Sequence, residues 1–239
     1  MPNLIRFGTG GRGASISAPI IGEDFNWSGG DGTYQVLDDG GGNWRIKFLS
    51  SGTFTPLKNM VIDVFLVGAG GGAGSSYCGE GGAGYTTTVR SVVLTANTAY
   101  SIVVGAAGTN GNPSSAGGET TAFTASAAGG KNTSNGTSSS KRPGGAGGSG
   151  GAGYVSPVAT TTGGTDGDDG TDSATAGGKG QGTTTREFGE ADGDLYASGG
   201  GSNLTATVSN SGNGGRNGIT SIAPADGIVV IRQHKEVAA

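Results

Sequence analysis

Few residues in this chain are equipped for chemistry, and their spacing says what each could do. Asp166, Asp168, Asp169 and Asp172 crowd one stretch, and Glu190, Asp192 and Asp194 follow. Carboxylates two residues apart suit Ca²⁺, which takes roughly six to eight oxygen ligands. An EF-hand also needs a glycine after the third acidic position and a closing Glu, and neither is in place; nor does a glycine-rich Ca²⁺ nonapeptide recur. A solvated acidic loop without metal is expected. His234, the single histidine, stands in a polar stretch beside Lys235 and Glu236. Ser–His–Asp catalysis would need it buried and oriented, so no catalytic residue is assigned and no enzyme is expected. Cys78 is the one cysteine. It can form no intrachain disulfide, and no cationic neighbour marks it as a reactive thiol. Gly8-Thr9-Gly10-Gly11-Arg12-Gly13 matches the dinucleotide pattern, but that motif must open a helix. Here Ala14-Ser15-Ile16-Ser17-Ala18-Pro19 follows, β-like and stopped by proline, so no cofactor is expected. Asn26, Asn132, Asn135 and Asn203 head glycosylation-type triplets that carry little weight where Ser and Thr are so frequent.

The elements that would position such residues read as strands. Tyr34–Leu37 and Trp44–Leu49 form a hairpin around a glycine-rich turn, and Trp44, Ile46 and Phe48 alternate with Arg45 and Lys47 as in a half-buried strand. Gly52–Thr55 is a short strand stopped by Pro56. Val61–Val67 is nearly all apolar, as a strand covered on both faces would be. Tyr85–Leu94, Tyr100–Val104 and Gly227–Arg232 complete the set. No segment shows a 3.6-residue apolar period, so the chain is read as all-β.

Composition excludes several classes. Of 239 residues 54 are glycine, 33 % are hydrophobic and 13 % charged. Too little apolar material is present for a helical bundle or a Rossmann-type enzyme. The longest apolar run, Val64–Val67, is far short of the ~20 residues of a membrane-spanning helix. A net charge of −4 and a pI near 4.9 argue against a nucleic-acid partner, which needs a basic face. The opening Met1-Pro2-Asn3, with no basic-then-apolar stretch, predicts no signal peptide.

Glycine is concentrated in the middle: 12 in residues 1–67, 41 in 68–218 and one in 219–239. It recurs every third position at 68/71/74, 105/108/111, 164/167/170 and 212/215/218, and most densely in 144–153. A polyproline-II-type helix has about three residues per turn and no internal hydrogen bonds. Glycine on one or two of its edges lets neighbouring helices approach until their backbones pair, replacing the side-chain core this composition lacks. In that reading Gly144, Gly147, Gly150 and Gly153 form one column, with Ala146 and Ser149 on the third edge. The alternative is a flexible glycine/serine linker.

Gly52-Thr53-Phe54-Thr55 followed by Val61–Val67 and Gly68-Ala69-Gly70-Gly71-Gly72 resembles the glycine-rich domain of bacteriophage tail-fibre and adhesin proteins. So do Gly81-Gly82-Ala83-Gly84-Tyr85, Tyr100–Ala106 and Asp226–Arg232. The resemblance implies an all-β, sandwich-like shell around packed polyglycine-II helices, with distal loops contacting the host surface. It divides the chain into an attachment region at 1–49, a glycine-rich adhesin-like domain at 50–233 and a polar tail at 234–239. The function it implies is non-catalytic binding of a host surface glycan or protein. By the same resemblance the protein would be made in the host cytoplasm, carried on the virion as a homo-oligomer, joined to other tail proteins through its N-terminal region, and not inserted in membrane. The runner-up is a virion decoration protein without a receptor role. A glycan depolymerase would need paired carboxylates about 5–10 Å apart, which only the Asp-rich stretches could supply. Among aromatics set in glycine-rich surroundings, Tyr154, Phe188 and Tyr196 are the expected receptor contacts; the bland reading of such rings is that they plug the helix bundle.

Overall fold

The computed structural model describes residues 18–137, 144–153, 155–156, 159–160, 186–201, 206–217 and 221–234. Twelve strands are described: β1 (Phe25–Trp27), β2 (Tyr34–Gly40), β3 (Asn43–Phe48), β4 (Gly52–Pro56), β5 (Met60–Val67), β6 (Thr86–Leu94), β7 (Tyr100–Val103), β8 (Thr120–Ala122), β9 (Ala125–Ala127), β10 (Val155–Ser156), β11 (Ala159–Thr160) and β12 (Ile228–Gln233). One 3₁₀ turn, Glu187–Gly189, interrupts the irregular segment before β12. Two five-stranded antiparallel sheets, β1-β4-β7-β8-β9 and β2-β3-β12-β5-β6, make an all-β sandwich; β10 pairs with β11 alone.

Alternation decides what each strand buries. Trp44, Ile46 and Phe48 of β3 and Ile62, Val64 and Leu66 of β5 face Phe25, Trp27 and Phe54 of the other sheet. The rings interlock between sheets, Trp27 at 4.7 Å and Phe54 at 5.6 Å from Phe48. The opposite face of β5 and β12, carrying Phe65, Val67, Ile228 and Val230, is covered by Ala83, Phe188, Tyr196 and Ala197. β5 is thus buried on both sides, as its composition implies. The β2–β3 hairpin turns on Gly40, Gly41 and Gly42, all with φ between +61° and +82°, a conformation that side-chain-bearing residues rarely adopt.

The boundary expected at residue 49 does not hold. β3 pairs with β12 from Phe48↔Val229 to Arg45↔Arg232, and β1 pairs with β4. Residues 25–48 therefore complete both sheets. The hairpin looked separable because its partner strand lies about 180 residues on in sequence.

Among the described residues the glycine-rich middle is packed, and its hydrogen bonds have a period of three. Gly68 and Gly71 donate to Tyr85 and Gly82, Ala69 and Gly72 to Gly118 and Ser115, and Gly70 to Ala225. The carbonyls of Ala69 and Gly72 accept from Gly130 and Thr133, those of Gly70 and Ala73 from Gly108 and Gly111, and that of Gly71 from Gly215. Segment 68–73 therefore has six backbone neighbours. Segment 80–85 repeats the scheme: Glu80 and Ala83 donate to Ala152 and Ser149, Gly81 and Gly84 to Gly215 and Gly212, Gly82 and Tyr85 to Lys131 and Ala128. This is the geometry of packed polyglycine-II helices, in which three residues complete a turn and every polar group pairs outward. A Cβ on Gly70, Gly84 or Gly147 would run into the carbonyl of Asn213, Gly68 or Ala83 respectively. The helices extend the strands: β5 runs into 68–74, β7 into 105–111 and β9 into 128–133, while 81–85 leads into β6, 115–118 into β8 and 222–227 into β12. Ser149, expected on an open edge, is fully buried, because 144–147 and 149–152 both lie against segment 80–83.

Candidate functional site

The outward face of β3 carries Arg45 and Lys47, since Trp44, Ile46 and Phe48 take the inward positions. Segment 186–197 crosses this face and lays Glu187, Phe188, Asp194 and Tyr196 against it. Glu187 is 1 % exposed, and a buried carboxylate must be paired and hydrogen-bonded to persist. Arg45 Nη1 donates to its Oε1, Lys47 Nζ lies 3.1 Å from Oε2, and the Tyr196 hydroxyl donates to Oε2 at 3.0 Å. Arg45 grips Asp39 with two contacts of 2.9 Å; Lys47 donates to Asp194 at 2.8 Å. Burial opposes the charge on Lys47, yet its hydrogen bonds to Asp194 and Tyr196 raise its pKa. The Lys47 hydrogen bond holds Asp194 below the usual carboxylate range. Burial, beside the Glu187 carboxylate, pushes the Tyr196 phenol up to about 12. Arg45, Lys47 and Asp194 are thus held charged and the Tyr196 phenol neutral near pH 7.

A second cluster lies one strand over. Asp63 of β5 is fully buried. It accepts from Arg232 Nε at 3.2 Å, Arg90 Nη1 at 3.2 Å, the Ser91 backbone N–H at 3.1 Å and pairs with His234 Nδ1 at 2.6 Å. Desolvation would raise the Asp63 pKa, but the His234, Ser91 and Arg232 contacts outweigh it and hold the carboxyl low. Arg232 also meets Glu190 at 2.7 Å and stacks 4.1 Å over the Phe188 ring. Ser91, His234 and Asp63 thus stand together, with Ser91 at φ +58°. They are not arranged as a nucleophilic triad. Ser91 Oγ is 3.2 Å from Nε2 and 3.5 Å from Nδ1; such near-equal distances put the hydroxyl over the ring instead of on the axis of either lone pair. The Ser91 N–H, the natural oxyanion donor, is already bonded to Asp63. The trio fastens the end of β12 to the β5–β6 bulge.

Two grooves flank segment 186–197. One, about 220 Å³, is lined by Asp39, Arg45, Glu187, Phe188, Asp192 and Arg232 among others. The other, about 420 Å³, is lined by Gln35, Lys47, Asp194, Leu195, Tyr196 and Val208 among others.

The expected contact residues fall as follows. Tyr154 lies outside the described residues, as do Asp166, Asp168, Asp169, Asp172, the Gly8–Gly13 motif and Asn203. Phe188 and Tyr196 are core residues, 2 % and 7 % exposed, with ring centres 6.0 Å and 5.5 Å from Phe65. Neither offers an open ring face for stacking, because both cover the outer face of β5 and β12; each edges one of the grooves instead. Glu190 and Asp194 are ion-paired to Arg232 and Lys47, and among the described residues no group of three metal-ligating side chains forms. Cys78 is half-buried, and burial raises its pKa, the opposite of an activated thiol. Asn132 and Asn135 bond Ser114 and Ser75.

Sequence reasoning missed Asp63, Arg45, Lys47 and Glu187. Asp63 did leave a signal: a lone carboxylate inside the apolar run Val61–Val67 must find buried partners. Glu187 left none, since Arg45 is 142 residues away. A family model described as a glycine-rich domain matches residues 47–232. No curated protein matches the chain.

Proposed function

The chain belongs to the glycine-rich domain family, and on that footing we propose that it is a bacteriophage virion protein of the tail-fibre or adhesin type, binding the host cell surface without chemistry. The observation that carries this reading is a core made of backbone hydrogen bonds. Segments 68–73 and 80–85 are fixed by pairing on all sides, so the bundle is a stiff support of the kind on which surface loops carry recognition. The ion-paired face beside it supports binding over catalysis. Glu187, Asp194, Asp39 and Glu190 each face a cation, and the Lys47 hydrogen bond holds Asp194 below the usual carboxylate range, where it is unsuited to act as a general acid. The same proposal has other tail proteins joined through the N-terminal region and has the chain act on the virion as a homo-oligomer.

Labelled protein incubated with a panel of bacterial strains tests this. Saturable binding to a subset of strains, displaced by sugars or by stripping surface proteins, is the expected result. Absence of binding to every strain would favour a decoration protein. Release of reducing ends from surface polysaccharide would overturn the non-catalytic reading.

A further inference from the structure

The groove of about 420 Å³ lies within the range of small-ligand sites, ~300–1,000 Å³, and its lining is specific in kind. Leu195 and Val208 are 44 % and 57 % exposed and supply the apolar part of the lining, two of eight exposed large hydrophobics among the described residues. In the same lining, Gln35 and Lys47 are register partners on β2 and β3, so their side chains stand side by side. Gln35 is exposed and its amide offers both donors and an acceptor. Lys47 and Asp194 neutralise each other at 2.8 Å, and Asp194 remains 62 % exposed, with lone pairs left to accept hydroxyl donors. A lining that combines two exposed apolar side chains with an amide and a neutralised ion pair matches a pyranose ring, which has a C–H face and hydroxyls.

Charge narrows the class. Across the two adjoining grooves the carboxylates of Asp39, Glu187, Glu190, Asp192 and Asp194 face the cations of Arg45, Lys47 and Arg232. Five acids against three bases, on a chain of net charge −4, repel an acidic sugar.

We propose that the groove between Leu195, Val208, Gln35 and the Lys47–Asp194 pair binds an uncharged hexopyranose unit of the host surface glycan and excludes uronic and sialic acids. The inference rests on the adhesin reading for its source of ligand, but its geometry stands by itself. Calorimetric titration of the full chain with neutral gluco-, galacto- and mannotrisaccharides, and with trigalacturonate, tests it. At least one neutral trisaccharide binds saturably, and trigalacturonate binds about tenfold more weakly or not at all. Leu195→Asp and Val208→Asp each weaken neutral binding about tenfold or more, since each replaces apolar contact with charge. Both positions are exposed, so melting temperatures unchanged from the parent protein exclude misfolding as the cause; Gln35→Ala, which alters no apolar contact, weakens binding severalfold as a second check. Failure of every neutral sugar to bind, tighter binding of trigalacturonate, or full binding by both Asp variants overturns the proposal. If cells are bound while the groove variants retain that binding, the groove inference falls and the adhesin reading stands. If the groove takes sugars but no strain is bound, the adhesin reading falls and the groove stands.

Discussion

His234 Nδ1 lies 2.6 Å from Asp63 Oδ1, joining the residue after β12 to the centre of β5. The contact completes a shell in which three cationic or ionisable side chains and one backbone N–H converge on a single buried carboxylate. Asp63→Asn keeps the shape and removes the charge, leaving Arg232, 5 % exposed, facing a neutral amide. Breaking a buried ion pair this way costs about 3–5 kcal/mol. Urea unfolding reads the loss. A variant within 1 kcal/mol of the parent would show the cluster to be a solvated surface feature.

The same carboxyl sets an acid limit. Its folded pKa is lowered, so the stability it supplies is present above the ordinary Asp value and is lost as pH falls toward the folded value. The gap in melting temperature between parent and Asp63→Asn is therefore expected to be full at pH 6 and to shrink below about pH 4. A gap constant down to pH 3 would contradict the assignment.

Deleting the first strands tests where the fold begins. A chain starting at Ser50 lacks β1, β2 and β3 and so exposes the β12 edge that pairs with β3 and the β4 edge that pairs with β1. Trp27, Trp44, Ile46 and Phe48 also leave the core. That chain is expected to be insoluble or to lack a cooperative transition, whereas a chain starting at Ala18 folds. Cooperative melting of the shorter chain would restore an independent boundary at 49.

Glu80 responds to pH with the opposite sign. It lies among the glycine helices, where burial raises its pKa to about 7, partly offset by the Asn217 N–H and the Arg216 charge. Between the ordinary carboxylate range and pH 7 the folded state holds a proton that the unfolded state has lost, so its contribution to stability falls as pH rises through that window. Glu80→Gln keeps an acceptor for Asn217 and abolishes the titration. The variant should match the parent near pH 4.5 and exceed it increasingly up to pH 7.5, by about 3 kcal/mol at most. A difference that does not change with pH would overturn this.

How much of this was legible in the sequence depends on separation along the chain. Period-2 alternation in Trp44–Phe48 and the apolar run of β5 announced two central strands, because those signals are local. β8 and β9 escaped notice because their hairpin turns on Phe123 and Thr124, at φ +48° and +69°, where turn chemistry leads one to look for Gly or Asn. β1 is only three residues long. The ion-paired face was illegible for another reason. Arg45 meets Glu187 and Lys47 meets Asp194 across more than 140 positions, and nothing in either segment identifies the other. The aromatics were visible as isolated rings, but whether Phe188 covers a sheet or faces solvent depends on where segment 186–197 crosses it.

The glycine bundle gives the sharpest test of how the fold is held. Gly147 lies where an added Cβ would strike the Ala83 carbonyl and amide, and Ala83 pairs with both Ser149 and Gly148. Gly147→Val must therefore displace a backbone that is bonded on several sides. Each buried group left unpaired costs ~1–3 kcal/mol, and overpacking adds a similar amount. Ser149 cannot serve as the mild comparison, since it is itself fully buried. Ala106 can: it sits in the helix 105–108, where Gly105 and Gly108 face inward and residue 106 is exposed. Ala106→Val should shift stability by no more than ~0.5 kcal/mol, against several kcal/mol for Gly147→Val. In a flexible linker both changes would be harmless or slightly stabilising, because they restrict only the unfolded chain. Two equal, small shifts in melting temperature would show that the middle is tethered chain, and a large shift confined to Gly147 is what a core built from paired backbones requires.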